Sequence, residues 1–268
     1  MSAPLVLKFG GASLATPHRL RLAAERIAFH RRNARPVVAV VSAQGKTTDR
    51  ILSGFEVALG GEEGTPAAPT TAREIDRALA TGEDHAAALL AALLCRRGVP
   101  ARSLRGGEAG IEAEGSFGEG RPRRLDPGPL RALLGARTVP VVAGYQALRP
   151  DGETITLGRG GSDLTAVLLA AEFGAEECVL VKDVPGIFDR DPARSPGAVL
   201  RPLLAHAEAV ELARGGAAVL QLGAAELARE RRIALRVIHY ADPFGTATGT
   251  LVRDFDPPRA APPAREAS

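Results

Sequence analysis

Five short apolar runs punctuate the chain, at Leu5–Phe9, Pro36–Val41, Val139–Ala143, Cys178–Lys182 and Leu235–His239. Each is continuous rather than alternating, the pattern of a strand covered on both faces. Between most of them lie stretches that read as helices, Pro17–Arg31, Arg73–Arg97, Asp163–Phe173 and Ala205–Arg214. Short buried strands alternating with helices predict a mostly parallel sheet with right-handed crossovers, in one α/β unit. Three regions break the alternation. Gly60–Thr71 is rich in Gly, Pro and Thr and reads as an exposed connection, and Gly106–Arg124 reads as a hairpin-bearing flap. The tail DPPRAAPPAREAS is expected to be disordered, which sets the domain at 1–253 and the tail at 254–268.

Composition narrows the class. The 268 residues suffice for a large core, and 45% are hydrophobic. A net charge of +3, with no basic run interleaved with aromatics, gives no reason to expect nucleic acid. No run of about 18 apolar residues occurs and a strand is reached at Leu5, so neither a membrane span nor a signal peptide is expected. Cys95 and Cys178 lie in apolar contexts without metal-type spacing, which predicts a reduced, cytoplasmic protein with two buried thiols.

Lysine changes the picture. Only three of the 34 basic residues are lysines, and one of them, Lys8, stands directly before Phe9-Gly10-Gly11 at the end of the first strand. Glycines let backbone approach an anion, and the helix expected from Thr16-Pro17 adds unpaired N–H groups and a positive dipole end. A lysine about 4 Å from a phosphate oxygen adds roughly 4 kcal/mol before desolvation. Equally, Gly-Gly makes a tight turn and Lys8 is a surface residue. Two common nucleotide motifs fail: a P-loop ending at Gly45-Lys46-Thr47 needs glycine where Val40 stands, and a dinucleotide fingerprint from Gly158 needs glycine at Asp163.

Three further stretches carry candidate chemistry. In TLGRGGSDLTAV, Ser162 or Asp163 suits the N-cap of the following helix, and Arg159 among three glycines suits a carboxylate. SAQGKTTD (Ser42–Asp49) puts hydroxyls and a lysine at a strand's C-terminal end, where α/β proteins bind ligands. Glu83, just inside a long helix, complements the helix dipole or serves a site.

Taken in order, KFGGAS (8–13), VVSAQGKTTD (40–49), IDRALATGED (75–84), VPVVAGYQ (139–146), TLGRGGSDLTAV (156–167), KDVPGIFDRDP (182–192) and GTATGTLV (245–252) resemble the catalytic domain of aspartate kinases, in the amino-acid kinase superfamily. The resemblance covers about residues 4 to 253. It implies a three-layer α/β/α sandwich with about eight mostly parallel strands, and transfer of the ATP γ-phosphoryl group, with Mg2+, to the β-carboxylate of L-aspartate. Lys8 and Asp163 would be catalytic. Ser42, Thr47, Thr48, Glu83, Arg159, Gly160 and Ser162 would hold the amino acid, with Arg159 on its α-carboxylate and Glu83 on its ammonium. Gly10, Gly11, Ser13, Lys182, Asp183, Gly186, Phe188 and Arg190 would face the nucleotide. The resemblance also admits a homodimer. Since the sequence stops near the end of the catalytic domain, it predicts no built-in regulatory ACT domains.

Departures concentrate on the nucleotide side. The family's TDVDGVYTADPR reads KDVPGIFDRDPA here, changing Thr to Lys182, Asp to Pro185, Tyr to Phe188 and Arg to Ala193. Ala218 replaces a nucleotide-side lysine, while Ala12 and Ala86 each cost the acceptor side a hydroxyl. Lys182, Arg190 or Arg194 is the expected compensation. Two alternatives therefore accompany the aspartate kinase expectation: the same chemistry on another amino-acid carboxylate, and a non-catalytic binding protein with an eroded ATP site.

Overall fold

The computed structural model describes residues 3–60, 69–190, 192, 195–216, 219–246 and 248–254. Residues 61–68 of the expected connection, Ala193, Arg194, Ala218 and the tail beyond Asp254 lie outside the described residues. In chain order the first half comprises β1 (Leu5–Phe9), α1 (Pro17–Arg32), β2 (Val37–Val41), α2 (Thr47–Leu59), α3 (Pro69–Arg96), β3 (Ala101–Leu104), β4 (Ile111–Glu114), β5 (Arg121–Leu125) and α4 (Gly128–Gly135). The second comprises β6 (Val139–Ala143), β7 (Gln146–Leu148), β8 (Thr154–Thr156), α5 (Gly161–Glu172), β9 (Glu177–Lys182), β10 (Leu203–Leu204), α6 (His206–Arg214), α7 (Leu222–Arg231), β11 (Ala234–His239) and β12 (Thr250–Val252).

Eight strands form one sheet in the order β10-β12-β11-β9-β1-β2-β6-β3. Pairing is parallel throughout except between β11 and β12, as the continuous apolar runs require. The strand period of two divides each central strand between two cores. Leu5, Leu7 and Phe9 pack with Ala24 and Ile27 of α1 and Leu90 and Leu94 of α3. Val6, Cys178 and Leu180 face the other way, onto Ala166, Leu169 and Ala170 of α5 and Ala224 and Ala228 of α7. Lys8 and Lys182 fall on that second parity, so both point toward the α5 layer from the C-terminal ends of adjacent strands.

The flap region is larger than the sequence predicts. β4 and β5 form the expected antiparallel hairpin, which joins β7 and β8 in a second sheet ordered β5-β4-β7-β8. Three other expectations need correction. Cys95 is exposed, because it lies on the outer side of α3, and only Cys178 is buried. The α5 N-cap is Gly160 at φ 83°, so Ser162 and Asp163 lie inside the first turn rather than capping it. Glu83 sits about midway along α3, far from either dipole end, which removes the dipole explanation for it. By length and composition the Thr70–Arg96 part of α3 resembles a membrane span, yet half of that apolar window is buried inside the fold.

Candidate active site

The C-terminal ends of β1, β2 and β9 meet the N-terminus of α5 at a cleft of about 360 Å³. On its floor Asp163 is fully enclosed, with 1% of its surface exposed. Its Oδ1 lies 2.6 Å from the Lys8 ammonium and its Oδ2 2.7 Å from the Lys182 ammonium. Two of the three lysines in the chain therefore clamp one carboxylate. Burial by itself would raise Asp163, but Lys182 and Lys8 outweigh it and hold the carboxyl down at about 2. Burial pushes Lys8 down despite Asp163 beside it, and Lys182 adds to that push. With both ammoniums protonated the cluster carries a net positive charge at the end of a cleft, an arrangement that calls for an anion.

Glu83, 3% exposed, lines the same cleft. Its Oε1 accepts a hydrogen bond from the Ala43 N–H at 2.9 Å, while Oε2 is buried without a partner. Burial is the main cause that pushes its carboxyl up to about 7. A partnerless carboxylate oxygen in a cleft wall fits an ammonium ligand. Gly82 makes the contact possible: a Cβ there would stand 2.8 Å from the Ala43 Cβ, so only glycine lets the loop after β2 reach Glu83. Arg159 is exposed at the rim and makes no ion pair among the described residues. Its loop depends on the positive φ of Gly160, whose missing side chain leaves room for Gln221 from the start of α7.

Of the residues expected here, Lys8, Ser42, Thr48, Glu83, Arg159, Gly160, Ser162, Asp163 and Lys182 all line the cleft. Thr47 is turned to its own loop, its hydroxyl donating to the Gln44 carbonyl at 2.8 Å. On the expected nucleotide side only Lys182 belongs to the lining, with Gly10 close behind: a Cβ there would be 3.8 Å from Lys8 Nζ. Gly11 packs against the Ala43 carbonyl, and the Ser13 hydroxyl is spent on the Val181 carbonyl at 3.0 Å. Gly186 packs against Thr250, Phe188 bridges to Leu200, Asp183 is exposed, and Arg190 pairs with Asp189 at 3.0 Å. Tyr145, Gly118 and Gln221 also line the cleft and were missed. Tyr145 lies within the recognised VPVVAGYQ stretch, but its φ of 69° was invisible there.

The sequence profile described as the amino acid kinase family matches residues 3–239. This chain belongs to the amino acid kinase family. Among curated relatives of this amino acid kinase, an aspartokinase from Thermus thermophilus is 36% identical over 252 residues, covering 94% of this chain and 60% of that protein. An aspartokinase from Pseudomonas aeruginosa is 38% identical over 250 residues, covering 93% and 58%. The chain thus spans about 60% of the length of the curated relatives it matches. The crystal structure of an aspartate kinase from Synechocystis superposes with a TM-score of 0.77 at 38% identity, over 94% of this chain and 40% of that one. The E. coli aspartokinase III complex with aspartate and ADP gives 0.76 at 25% identity, over 95% and 65%. A UMP kinase from Bacillus anthracis, 17% identical with a TM-score of 0.68 over 94% and 96%, shares the fold alone.

Proposed function

We propose that this amino acid kinase transfers the γ-phosphoryl group of ATP to the β-carboxylate of L-aspartate, forming 4-phospho-L-aspartate. The observation that carries the reading is Asp163 held between Lys8 and Lys182 at the floor of a cleft whose wall presents the free Glu83 oxygen. The aspartokinase relatives, one of them crystallised with aspartate and ADP, support the acceptor and the nucleotide.

The reaction brings a carboxylate to a phosphoryl group, anion against anion, so charge neutralisation and in-line alignment are the chief tasks. Arg159 grips the α-carboxylate of the acceptor with its planar fork, and Glu83 takes the ammonium. Ser42, Thr48 and Ser162 border the same space. Fixed at two ends, the amino acid directs its side-chain carboxylate to the Lys8–Lys182 pair. Those ammoniums neutralise the transferring group, and Asp163 keeps both aimed while staying ionised. Lys182 supplies a phosphate-side cation where the family pattern has threonine. Gly10 leaves space beside Lys8 for a phosphate oxygen.

No group of three His, Cys, Asp or Glu side chains suited to a metal occurs among the described residues. Asp163, the acidic group on the cleft floor, is already committed to two lysines. Mg2+ belongs to the proposal as the ion carried by ATP phosphates and water, its usual mode. The binding-only alternative is not favoured, because the cations that a phosphoryl group needs are gathered rather than dispersed. A soluble cytoplasmic enzyme acting on small molecules completes the proposal.

The test compares ADP release with L-aspartate, L-glutamate and N-acetylated aspartate as acceptors. The proposal expects L-aspartate to be preferred and the acetylated form, lacking an ammonium for Glu83, to be poor. Preference for glutamate or for the acetylated form would contradict it.

A further inference from the structure

Asp76 is 1% exposed, lines no part of the cleft, and spends its carboxylate entirely on polar groups of other elements. Oδ2 accepts from the Thr156 N–H at 2.8 Å and from the Gly118 N–H at 2.9 Å. Oδ1 accepts from the Thr156 hydroxyl at 2.8 Å. Gly118 is the part of the β4–β5 flap that borders the cleft, and Thr156 ends β8 three residues before Arg159. Glu83 stands on the same helix as Asp76, seven residues or about two turns along, roughly 10 Å. Ala80 and Asp84 lie between and beside them and accept from the Gln146 amide at 3.1 and 2.9 Å. One face of α3 therefore holds β7, the end of β8 and the Gly118 loop of the flap through hydrogen bonds that involve side chains, three of them made by Asp76.

We propose that Asp76 is the positioning residue of the acceptor pocket, setting the span between Glu83 and Arg159 and holding the flap at Gly118 against the cleft. The proposal rests on the reading of Glu83 and Arg159 as the two ends of an amino-acid grip. Buried charge-assisted hydrogen bonds are short and directional, so three of them to two segments define a relative position better than apolar contact does. A mere fold-stabilising role makes a different prediction. It would lower the amount of native protein and affect both substrates alike. Positioning affects the amino acid selectively.

The experiment measures kcat and KM for L-aspartate and for Mg-ATP in Asp76→Ala, Asp76→Asn and Thr156→Val. Amide hydrogen exchange is followed on the same proteins. In Asp76→Ala, KM for aspartate rises at least about tenfold while KM for Mg-ATP stays within about twofold, since two N–H groups lose a charged acceptor. Thr156→Val removes one bond without changing shape and raises KM for aspartate about fivefold, which keeps the test available should the alanine variant fold poorly. Asp76→Asn retains most of the function, because its oxygen can accept from both N–H groups while its NH2 donates to the Thr156 hydroxyl. Exchange at Gly118 and Thr156 speeds up in Asp76→Ala, with β1, β2 and β9 unchanged. Equal rises in both KM values, an asparagine variant as impaired as alanine, or exchange that quickens evenly across the sheet would overturn the proposal. Should wild-type protein turn over no aspartate, the functional reading falls by itself, and the exchange pattern still decides the role of Asp76.

Discussion

At the residue scale the central fact is one carboxylate shared by two ammoniums. Buried ion pairs are costly to break from one side, because the partner left behind keeps its charge. Asp163→Ala leaves two enclosed lysines facing each other and should destabilise the fold by about 3–5 kcal/mol, readable as a shift in the denaturant midpoint. Lys182→Met keeps the stem and removes only the cation. It should keep the fold and lower kcat by about a hundredfold to a thousandfold, the usual cost of one transition-state donor. Glu83 gives a pH signature of two opposite signs. With its carboxyl pushed up to about 7, its ionised form is disfavoured in the fold, so its contribution to stability falls as pH rises from about 4.5 to 7. With Glu83 as the proposed ammonium partner, acceptor binding uses that ionised form and should strengthen over the same rise. A kcat/KM for aspartate that climbs in one step near pH 7, and becomes flat in Glu83→Gln, is the expected profile.

At the element scale, α3 shows how a local rule yields to a contact. Alanine is the better helix former by about 1 kcal/mol, yet Gly82→Ala should impair the protein. The added Cβ meets the Ala43 Cβ at 2.8 Å and Thr47 Cγ2 at 3.3 Å, which pushes the Ala43 N–H away from Glu83. A raised KM for aspartate with unchanged or higher helix content would bear this out. The five apolar runs were legible because a strand buried on both faces has no polar alternation to blur it. The strands β3, β7, β8, β10 and β12, of two to four residues each, were not legible, since so short a segment has no period to read. The α5 cap was misplaced for a related reason: Ser162 and Asp163 fit a cap chemically, but Gly160 takes the left-handed turn and frees Asp163 for the lysines. Parity along 178, 180 and 182 would have placed Lys182 beside Lys8, had the register of β9 against β1 been known.

For the whole molecule, order along the chain told more than any single motif. Lys8, Glu83 and the Arg159–Asp163 turn are far apart in sequence and weak singly, and the fold brings all three segments to one cleft. What stayed hidden was the division of labour on the nucleotide side. Gly11, Ser13 and Gly186 match the family pattern and Arg190 is an expected compensating cation, but their visible contacts are with the protein itself. Lys182, which departs from the pattern, is the residue that faces the cleft. The central claim is therefore that carboxylate phosphorylation runs on the Lys8–Asp163–Lys182 cluster. Hydroxylamine converts an acyl phosphate to a hydroxamate, so trapping with Mg-ATP and L-aspartate reads the product class directly. The account predicts hydroxamate from the wild-type protein and its loss in both Lys8→Ala and Lys182→Met. Undiminished hydroxamate from the Lys182 variant, or none from folded wild-type protein, would contradict it.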